Sequence, residues 1–435
     1  MISIPKAKGL TGVLNIPGDK SISHRSAILA SLAAAPVTIH NYLKARDTLA
    51  TIACLKALGA KINVAETGVV TVLGQGLRGF TEPQDILNAD NSGTTMRLLA
   101  GVLAALPFFS ILTGDKSLVS RPMQRIIEPL TKMGAAILAR SGGRFAPLAI
   151  SGGSLTGIEY HSPVASAQLK SAILLASLVG GCASKITEPY LSRNHTELML
   201  QAFGAEIKQT GTTVSISPVT ELKAPTSITV PGDISSAAFY LVAASIIPNS
   251  SLTLQNVGIN PTRTGIIDVL SRMGASLRLI NRRLSGLEEV ADIEVTSANL
   301  KGVTIEGSII PTLIDELPVI AVAALFAEGT THVQDAGELR VKETDRISAI
   351  TQELGKLGAV ITETPDGFTI KGPQTLNWAQ VDPRGDHRMA MSLAVAASAA
   401  AGADITDYNC VQISYPDFFA ELERVRGTLG EENFL

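Results

Sequence analysis

The chain has 435 residues, of which 46% are hydrophobic, 4% aromatic and 17% charged, and its net charge is −3. A chain of this length can bury the cores of two or three domains, while so mild a charge offers no field for nucleic acid or an anionic membrane. The longest apolar runs, "LPVIAVAALFA" and "SAILLASLVGG", fall short of the about 18 residues that a membrane-spanning helix needs.

In chain order the first elements belong to a repeat. A short β-like run occurs at "VTIHN" (37–41), "SILTG" (110–114), "KITEP" (185–189), "LTLQN" (252–256), "HVQDA" (332–336) and "DITDY" (404–408). Each is followed by a helix that ends on glycine and leads into a strand: "LGAKI", "MGAAI", "FGAEI", "MGASL", "LGAVI" and a degenerate "VRGTL". Glycine supplies the left-handed cap that such an ending needs. In the same phase, alanine-rich helices are expected to begin at Ser21, Ser92, Ser166, Ser235, Asp315 and His387, where serine and aspartate oxygens can accept first-turn N–H groups. Segments such as "AILASLAAA" and "LLAGVLAAL" are apolar nearly all round, so these helices should be buried. The intervening helices carry more charge and should lie outside. The chain is thus six α/β units of about 70 residues. They group as two sets of three, because "IPGDKSISHRSAILAS" (16–31) is echoed by "VPGDISSAAFYLVAAS" (230–245), with Lys20 of the first copy replaced by Ile234.

No G-x-G-x-x-G accompanies these units, which speaks against a doubly wound dinucleotide fold. "PGDKS" is not a nucleotide phosphate loop either, since Asp19 separates Gly18 from Lys20. The three cysteines Cys54, Cys182 and Cys410 are far apart without a C-x-x-C, and no H-E-x-x-H occurs. A reduced, cytoplasmic compartment and the absence of a metal site are therefore expected. "MISIPKAKGL" shows no apolar signal core.

Polar residues collect at the starts of the buried helices and after the β-runs. They include Lys20, Ser21, Arg25, Arg46, Asn91, Gly93, Arg97, Arg121, Ser166, Gln168, Arg193, Asp315, Lys342, Glu343, Asp345, Arg346, His387 and Arg388. Singly, most read as caps or solvated charges. Jointly, in repeat phase, they set helix N-termini and cations beside one another, which suits small, multiply charged anions.

"PGDKSISHR", "DNSGTTMR", "SRPM", "SAQLKSA", "EPYLSRNHTE", "RVKETDR" and "GDHRMAM" resemble the signature segments of the 5-enolpyruvylshikimate-3-phosphate synthases, in the family's order and over nearly the whole chain. The resemblance implies transfer of enolpyruvyl from phosphoenolpyruvate to the 5-hydroxyl of shikimate 3-phosphate, in the cytoplasm, by a monomer that needs no cofactor or metal and binds neither nucleic acid nor membrane. It implies an inside-out α/β barrel architecture: two similar α/β domains, each of three units with buried helices and outer sheets. The domains would be 1–18 plus 231–435, and 19–230, with the substrates in the cleft between them. Lys20, Ser21, Arg25, Ser166, Gln168, Arg193, Asp315 and Lys342 would meet shikimate 3-phosphate. Lys20, Asn91, Gly93, Arg121, Gln168, Arg346 and Arg388 would frame phosphoenolpyruvate. Lys20, Asp315 and Glu343 would be catalytic, with Asp315 as base at the 5-hydroxyl and Glu343 moving the proton at the methylene carbon.

Two positions depart from the family pattern. Ala167 stands where many members have a second serine, and Ile413 where some carry a lysine. Gly93 is retained, which leaves room for the inhibitor glyphosate. Two alternatives are an enolpyruvyl transferase that uses UDP-N-acetylglucosamine, and a non-catalytic anion-binding repeat scaffold. The first calls for asparagine after the first lysine, where this chain has Ser21.

Overall fold

The computed structural model describes residues 1–427, so Thr428 and Leu429 of the degenerate "VRGTL" lie outside the described residues. Six buried helices mark the repeat: α1 (Lys20–Leu32), α2 (Gly93–Ala104), α3 (Ala167–Gly180), α4 (Ile234–Ile246), α5 (Leu317–Phe326) and α6 (His387–Ala399). Each leads into one of six strands: β1 (Pro36–His40), β2 (Phe109–Thr113), β3 (Ser184–Thr187), β4 (Ser251–Gly258), β5 (Gly329–Val333) and β6 (Ala403–Ile405). The chain divides into two compact units, Met1–Pro17 with Pro231–Leu284 and Glu289–Leu435, and Gly18–Val230 with Ser285–Glu288. Gly18 and Ser285–Glu288 thus group with the second unit, whereas the sequence reading assigned them to the first.

The same sheet recurs. Among the described residues, five sheets have four strands and one has three. Around β2, Leu87–Asn88 pairs parallel with Leu87 opposite Leu112, and Phe145–Ser151 pairs antiparallel with Ser151 opposite Phe109. Ala136–Ala139 completes that sheet antiparallel to Phe145–Ser151. In the second unit the parallel neighbour of β1 is Ser227–Thr229, so the end of the third repeat closes on the first. In the first unit Thr11–Asn15 pairs parallel with β4, and Ile2–Ile4 pairs antiparallel with β6. Alternate residues of these strands face inward, as in β2, where Ser110 and Leu112 are buried and Phe109 is exposed.

Inside each unit the helices pack on one another: α4, α5 and α6 make mutual contacts in the first, and α2 packs on α1 and α3 in the second. Each unit has its own apolar core. Among the described residues no single helix is long and apolar enough to cross a membrane. The pair Gly307–Leu313 and Leu317–Phe326 reaches that composition jointly but bends by 109°, and Leu317 to Leu325 are buried in the first unit's core.

The glycine endings are where the repeat places them. Gly59, Gly134, Gly204, Gly274 and Gly358 all have φ between +80° and +107°, the left-handed conformation that terminates the outer helices. The helix starts need correction. α2 and α3 are capped by Ser92 and Ser166, whose hydroxyls accept from Thr95 and Leu169. α1 and α4 begin one residue earlier than expected, at Lys20 and Ile234. Their caps are Asp19, accepting from the Ile22 N–H at 2.8 Å, and Asp233, accepting from the Ser235 N–H at 2.9 Å. Asp386 caps α6 in the same way, at 2.9 Å from the Arg388 N–H. α5 begins at Leu317, so Glu316 rather than Asp315 stands at its cap position.

The two Pro-Gly-Asp turns therefore share a structural job, since aspartate accepts first-turn N–H groups well. Gly18 has no room for a side chain, because a Cβ there would lie 2.0 Å from the Asn41 carbonyl oxygen. In the register of these turns, Arg25 of α1 corresponds to Phe239 of α4, which is core.

Candidate active site

In the second unit, three helix N-termini carry the expected residues. Lys20, at the first position of α1, pairs with Asp47 at 3.0 Å. One turn on, Arg25 is buried and spread over three acceptors: Nε to Thr196 Oγ1 at 2.6 Å, Nη1 to the Ser21 carbonyl at 3.0 Å, and Nη2 to Ser171 Oγ at 2.9 Å. The Ser21 carbonyl is thereby tied to α3 and to the His195–Ala202 helix through one guanidinium.

At α2, Arg121 donates from Nη1 to the Asn91 carbonyl at 3.2 Å, and from Nη2 to Asn91 Oδ1 at 2.8 Å and Ser117 Oγ at 3.0 Å. Asn91 in turn donates to Asp115 at 2.7 Å. Gly93 opens the helix beneath this group. A Cβ on it would stand 2.7 Å from Arg97 Nη1 and 3.6 Å from Arg121 Nη1. Gln168, in the first turn of α3, accepts from Arg97 at 2.6 Å and donates to Thr94 at 3.0 Å, so α2 and α3 share one polar end.

Ser166 is anchored through its backbone. Its N–H donates to Glu188 Oε1 at 2.9 Å, while Glu188 Oε2 takes the Lys170 ammonium at 2.8 Å and the Ser192 hydroxyl at 2.9 Å. Lys170 also pairs with Glu197 at 2.7 Å. Burial works against the Lys170 charge, but Glu197 and Glu188 outweigh it and raise its pKa. Arg193 is half-buried in the loop after Ser192 and lies within this unit.

The first unit holds a second group, around Asp315. That carboxylate sits in the turn between Ile310–Leu313 and α5, with Lys342 at 3.3 Å, Arg346 at 3.1 Å and Arg388 at 3.7 Å. Arg346 is fully buried; its Nε meets Asp386 at 2.7 Å and its Nη2 meets Glu343 at 2.7 Å. Desolvation opposes its charge, but Asp386, Glu343 and Asp315 outweigh it, so its pKa is raised. The Lys342 amine is displaced the other way. Desolvation pulls its pKa down, partly opposed by Asp315, with Arg346 adding to the fall.

Each unit thus sets cations against helix ends where an anion would be gripped by paired donors. The family model for EPSP synthase (3-phosphoshikimate 1-carboxyvinyltransferase) matches residues 4–422. The chain belongs to the EPSP synthase family. It is therefore a transferase of the enolpyruvyl group in the shikimate pathway. It is 54% identical over 430 residues to a Synechococcus 3-phosphoshikimate 1-carboxyvinyltransferase, covering 98% of this chain and 96% of that one. To the protein of that name from Desulforudis audaxviator it is 51% identical, covering 98% and 99%. Among solved structures, the EPSP synthase of Acinetobacter baumannii superposes with a TM-score of 0.86 at 41% identity, over 97% of each chain.

The structure brings Lys20, Ser21, Arg25, Asn91, Gly93, Arg121, Ser166, Gln168 and Arg193 into the second unit, and Asp315, Lys342, Glu343, Arg346 and Arg388 into the first. Among the described residues, no group of three or more His, Cys, Asp or Glu side chains is placed to hold a metal ion. Sequence reasoning passed over the acceptors that hold the cations, Asp47, Ser171, Thr196 and Asp386, and Asp115, which holds Asn91 beside Arg121. Only Asp386 carried a local signal, as an aspartate directly before a buried helix. Ile413, at the position where some members have lysine, is buried in the first unit's core.

Proposed function

We propose that these two residue groups serve one reaction, the transfer of enolpyruvyl from phosphoenolpyruvate to the 5-hydroxyl of shikimate 3-phosphate with release of phosphate. The observation that carries this reading is the pairing of an anion-gripping set in one unit with a carboxylate ringed by three cations in the other, in a chain of this family. Lys20, Ser21, Arg25, Ser166, Gln168 and Arg193 receive shikimate 3-phosphate, with Asp315 and Lys342 at its 5-hydroxyl. Lys20, Asn91, Gly93, Arg121, Gln168, Arg346 and Arg388 receive phosphoenolpyruvate. Two anionic substrates repel each other, and this density of cations offsets the repulsion.

The reaction runs by addition and elimination. Asp315 takes the hydroxyl proton as the oxygen attacks C2 of phosphoenolpyruvate, and Glu343 delivers a proton to C3, giving a tetrahedral intermediate. Elimination returns the C3 proton to Glu343 and expels phosphate, which carries away the hydroxyl proton held by Asp315 and whose charge Lys20, Arg121 and Arg346 stabilise. The Glu343 carboxylate is kept in place by Arg346 at 2.7 Å. The bare α-carbon of Gly93 leaves the space beside Arg121 in which glyphosate would compete with phosphoenolpyruvate. We read the enzyme as a monomer in which one chain supplies both groups. The free thiols of Cys54, Cys182 and Cys410 suit the cytoplasm.

The test is phosphate release from phosphoenolpyruvate by the purified chain, with and without shikimate 3-phosphate. Release that depends on the acceptor, and that is lost in Lys20→Met and Arg121→Ala, is expected. Folded protein without such release would overturn the reading.

A further inference from the structure

A buried polar chain runs through the first unit from its Pro-Gly-Asp turn to Arg388. Asp233 donates its N–H to the Pro17 carbonyl at 2.9 Å, and its Oδ1 accepts from Arg263 Nη2 at 3.0 Å. The same Nη2 donates to Ser235 Oγ at 2.7 Å. The Ser235 hydroxyl, its proton free to turn away, donates to Glu316 Oε1. Glu316 Oε1 lies 3.6 Å from Arg388 Nη1, which also donates to the backbone carbonyl of Asp315 at 3.3 Å. Asp233, Ser235, Arg263 and Glu316 are all at most 5% exposed.

A buried carboxylate is costly unless its charge is answered. Glu316 has Oε1 shared between a hydroxyl and a guanidinium, while Oε2 finds no hydrogen-bond partner among the described residues. An apolar residue would serve the helix start as well, because the Glu316 side chain makes no cap bond to α5. What the carboxylate does touch is Arg388. We propose that Glu316 is a positioning residue that orients the Arg388 guanidinium for phosphoenolpyruvate, and is itself held by Ser235, Arg263 and Asp233. This inference rests on the reading that Arg388 meets phosphoenolpyruvate. In the equivalent turn of the other unit Lys20 replaces Ile234, so one Pro-Gly-Asp copy presents a cation directly and the other holds one through Glu316.

The test is a double-mutant cycle on the full-length chain with Glu316→Gln and Arg388→Lys, measuring the KM of each substrate separately together with thermal unfolding. In the native background Glu316→Gln should raise the KM for phosphoenolpyruvate roughly tenfold and leave that for shikimate 3-phosphate within about twofold. In the Arg388→Lys background the same change should add less than about twofold, because its target geometry is already gone. Ser235→Ala, which leaves the charge but frees the carboxylate, should show a weaker effect of the same kind and supports the case if Glu316→Gln folds poorly. Parallel rises in both KM values, equal effects in the two backgrounds, or a lowered unfolding temperature with both KM values unchanged would each overturn the proposal. Arg388→Lys alone leaving the KM for phosphoenolpyruvate unchanged would instead remove the reading on which it rests.

Discussion

Arg97 Nη1 donates to Gln168 Oε1 at 2.6 Å, joining two buried helices whose bonded residues are 71 positions apart in the chain. The same nitrogen lies 2.7 Å from the point where a Cβ on Gly93 would stand. The clash is with the far end of a flexible side chain, so Gly93→Ala should fold, with an unfolding temperature within a few degrees of native. Arg97 must then move off Gln168, and the Arg121 guanidinium tightens against the new methyl. The KM for phosphoenolpyruvate should rise several-fold while that for shikimate 3-phosphate stays within about twofold. Steady-state kinetics with each substrate varied in turn checks this.

Lys170 holds two carboxylates beneath the start of α3. Lys170→Met leaves Glu188 and Glu197 facing each other without their shared cation in a site only 1% to 4% exposed. Breaking a buried pair in this way costs about 3–5 kcal/mol, and urea denaturation should show a correspondingly lower midpoint. Because Glu188 also takes the Ser166 N–H, a reversion attempt with Glu188→Gln in the Lys170→Met background should recover part of the stability.

His24 is fully buried in α1, with Nδ1 at 2.6 Å from Thr51 Oγ1. Burial, with Lys20 and Arg25 nearby, holds its pKa well below 6.5, so the folded state keeps it neutral. The unfolded chain binds a proton there below its ordinary pKa and the folded chain does not. Stability attributable to His24 is therefore present above about pH 6.5 and falls by about 1.4 kcal/mol per pH unit below it. In His24→Asn this part of the acid slope should vanish, which denaturation midpoints measured between pH 5 and pH 7.5 will show.

Lys342 loses its proton at lower pH than an ordinary lysine, because desolvation outweighs the pull of Asp315. On the proposed roles, activity that needs its charge should decline on the alkaline side earlier than a normal lysine would allow. Lys342→Arg keeps the charge throughout that range. Its kcat/KM should extend to higher pH, even if the peak value is lower. A pH–rate profile between pH 7 and pH 10.5 for both proteins makes the comparison.

Much of this architecture is local and hence legible along the chain. Each unit needs a left-handed residue to end its outer helix, an apolar helix to bury and a short strand to follow, so glycines such as Gly59 and Gly134 and the runs around Ile39 and Ile111 recur in phase. The charged residues proposed for the chemistry were legible for the same reason: Lys20, Arg121, Asp315 and Arg388 interrupt segments that the repeat otherwise fills with caps and core. Pairing was not legible. Strands of two residues, such as Leu87–Asn88 and Thr304–Ile305, are too short to carry a period, and the closure of Ser227–Thr229 on β1 joins segments from opposite ends of a unit.

The same limit applies to the site. The sequence by itself determined that cations would gather at helix starts, because repeat phase and residue type are written locally. Tertiary structure alone decided what each one holds: Lys20 with Asp47, Arg25 with Ser171 and Thr196, Arg346 with Asp386 and Glu343, Arg388 with Asp315 and Glu316. It also decided that Asp315 would turn its carboxylate to three cations rather than cap α5. A hydrogen bond or ion pair acts over about 3–4 Å in space with no regard for separation along the chain. Only the folded packing of helices from different repeats selects its partners.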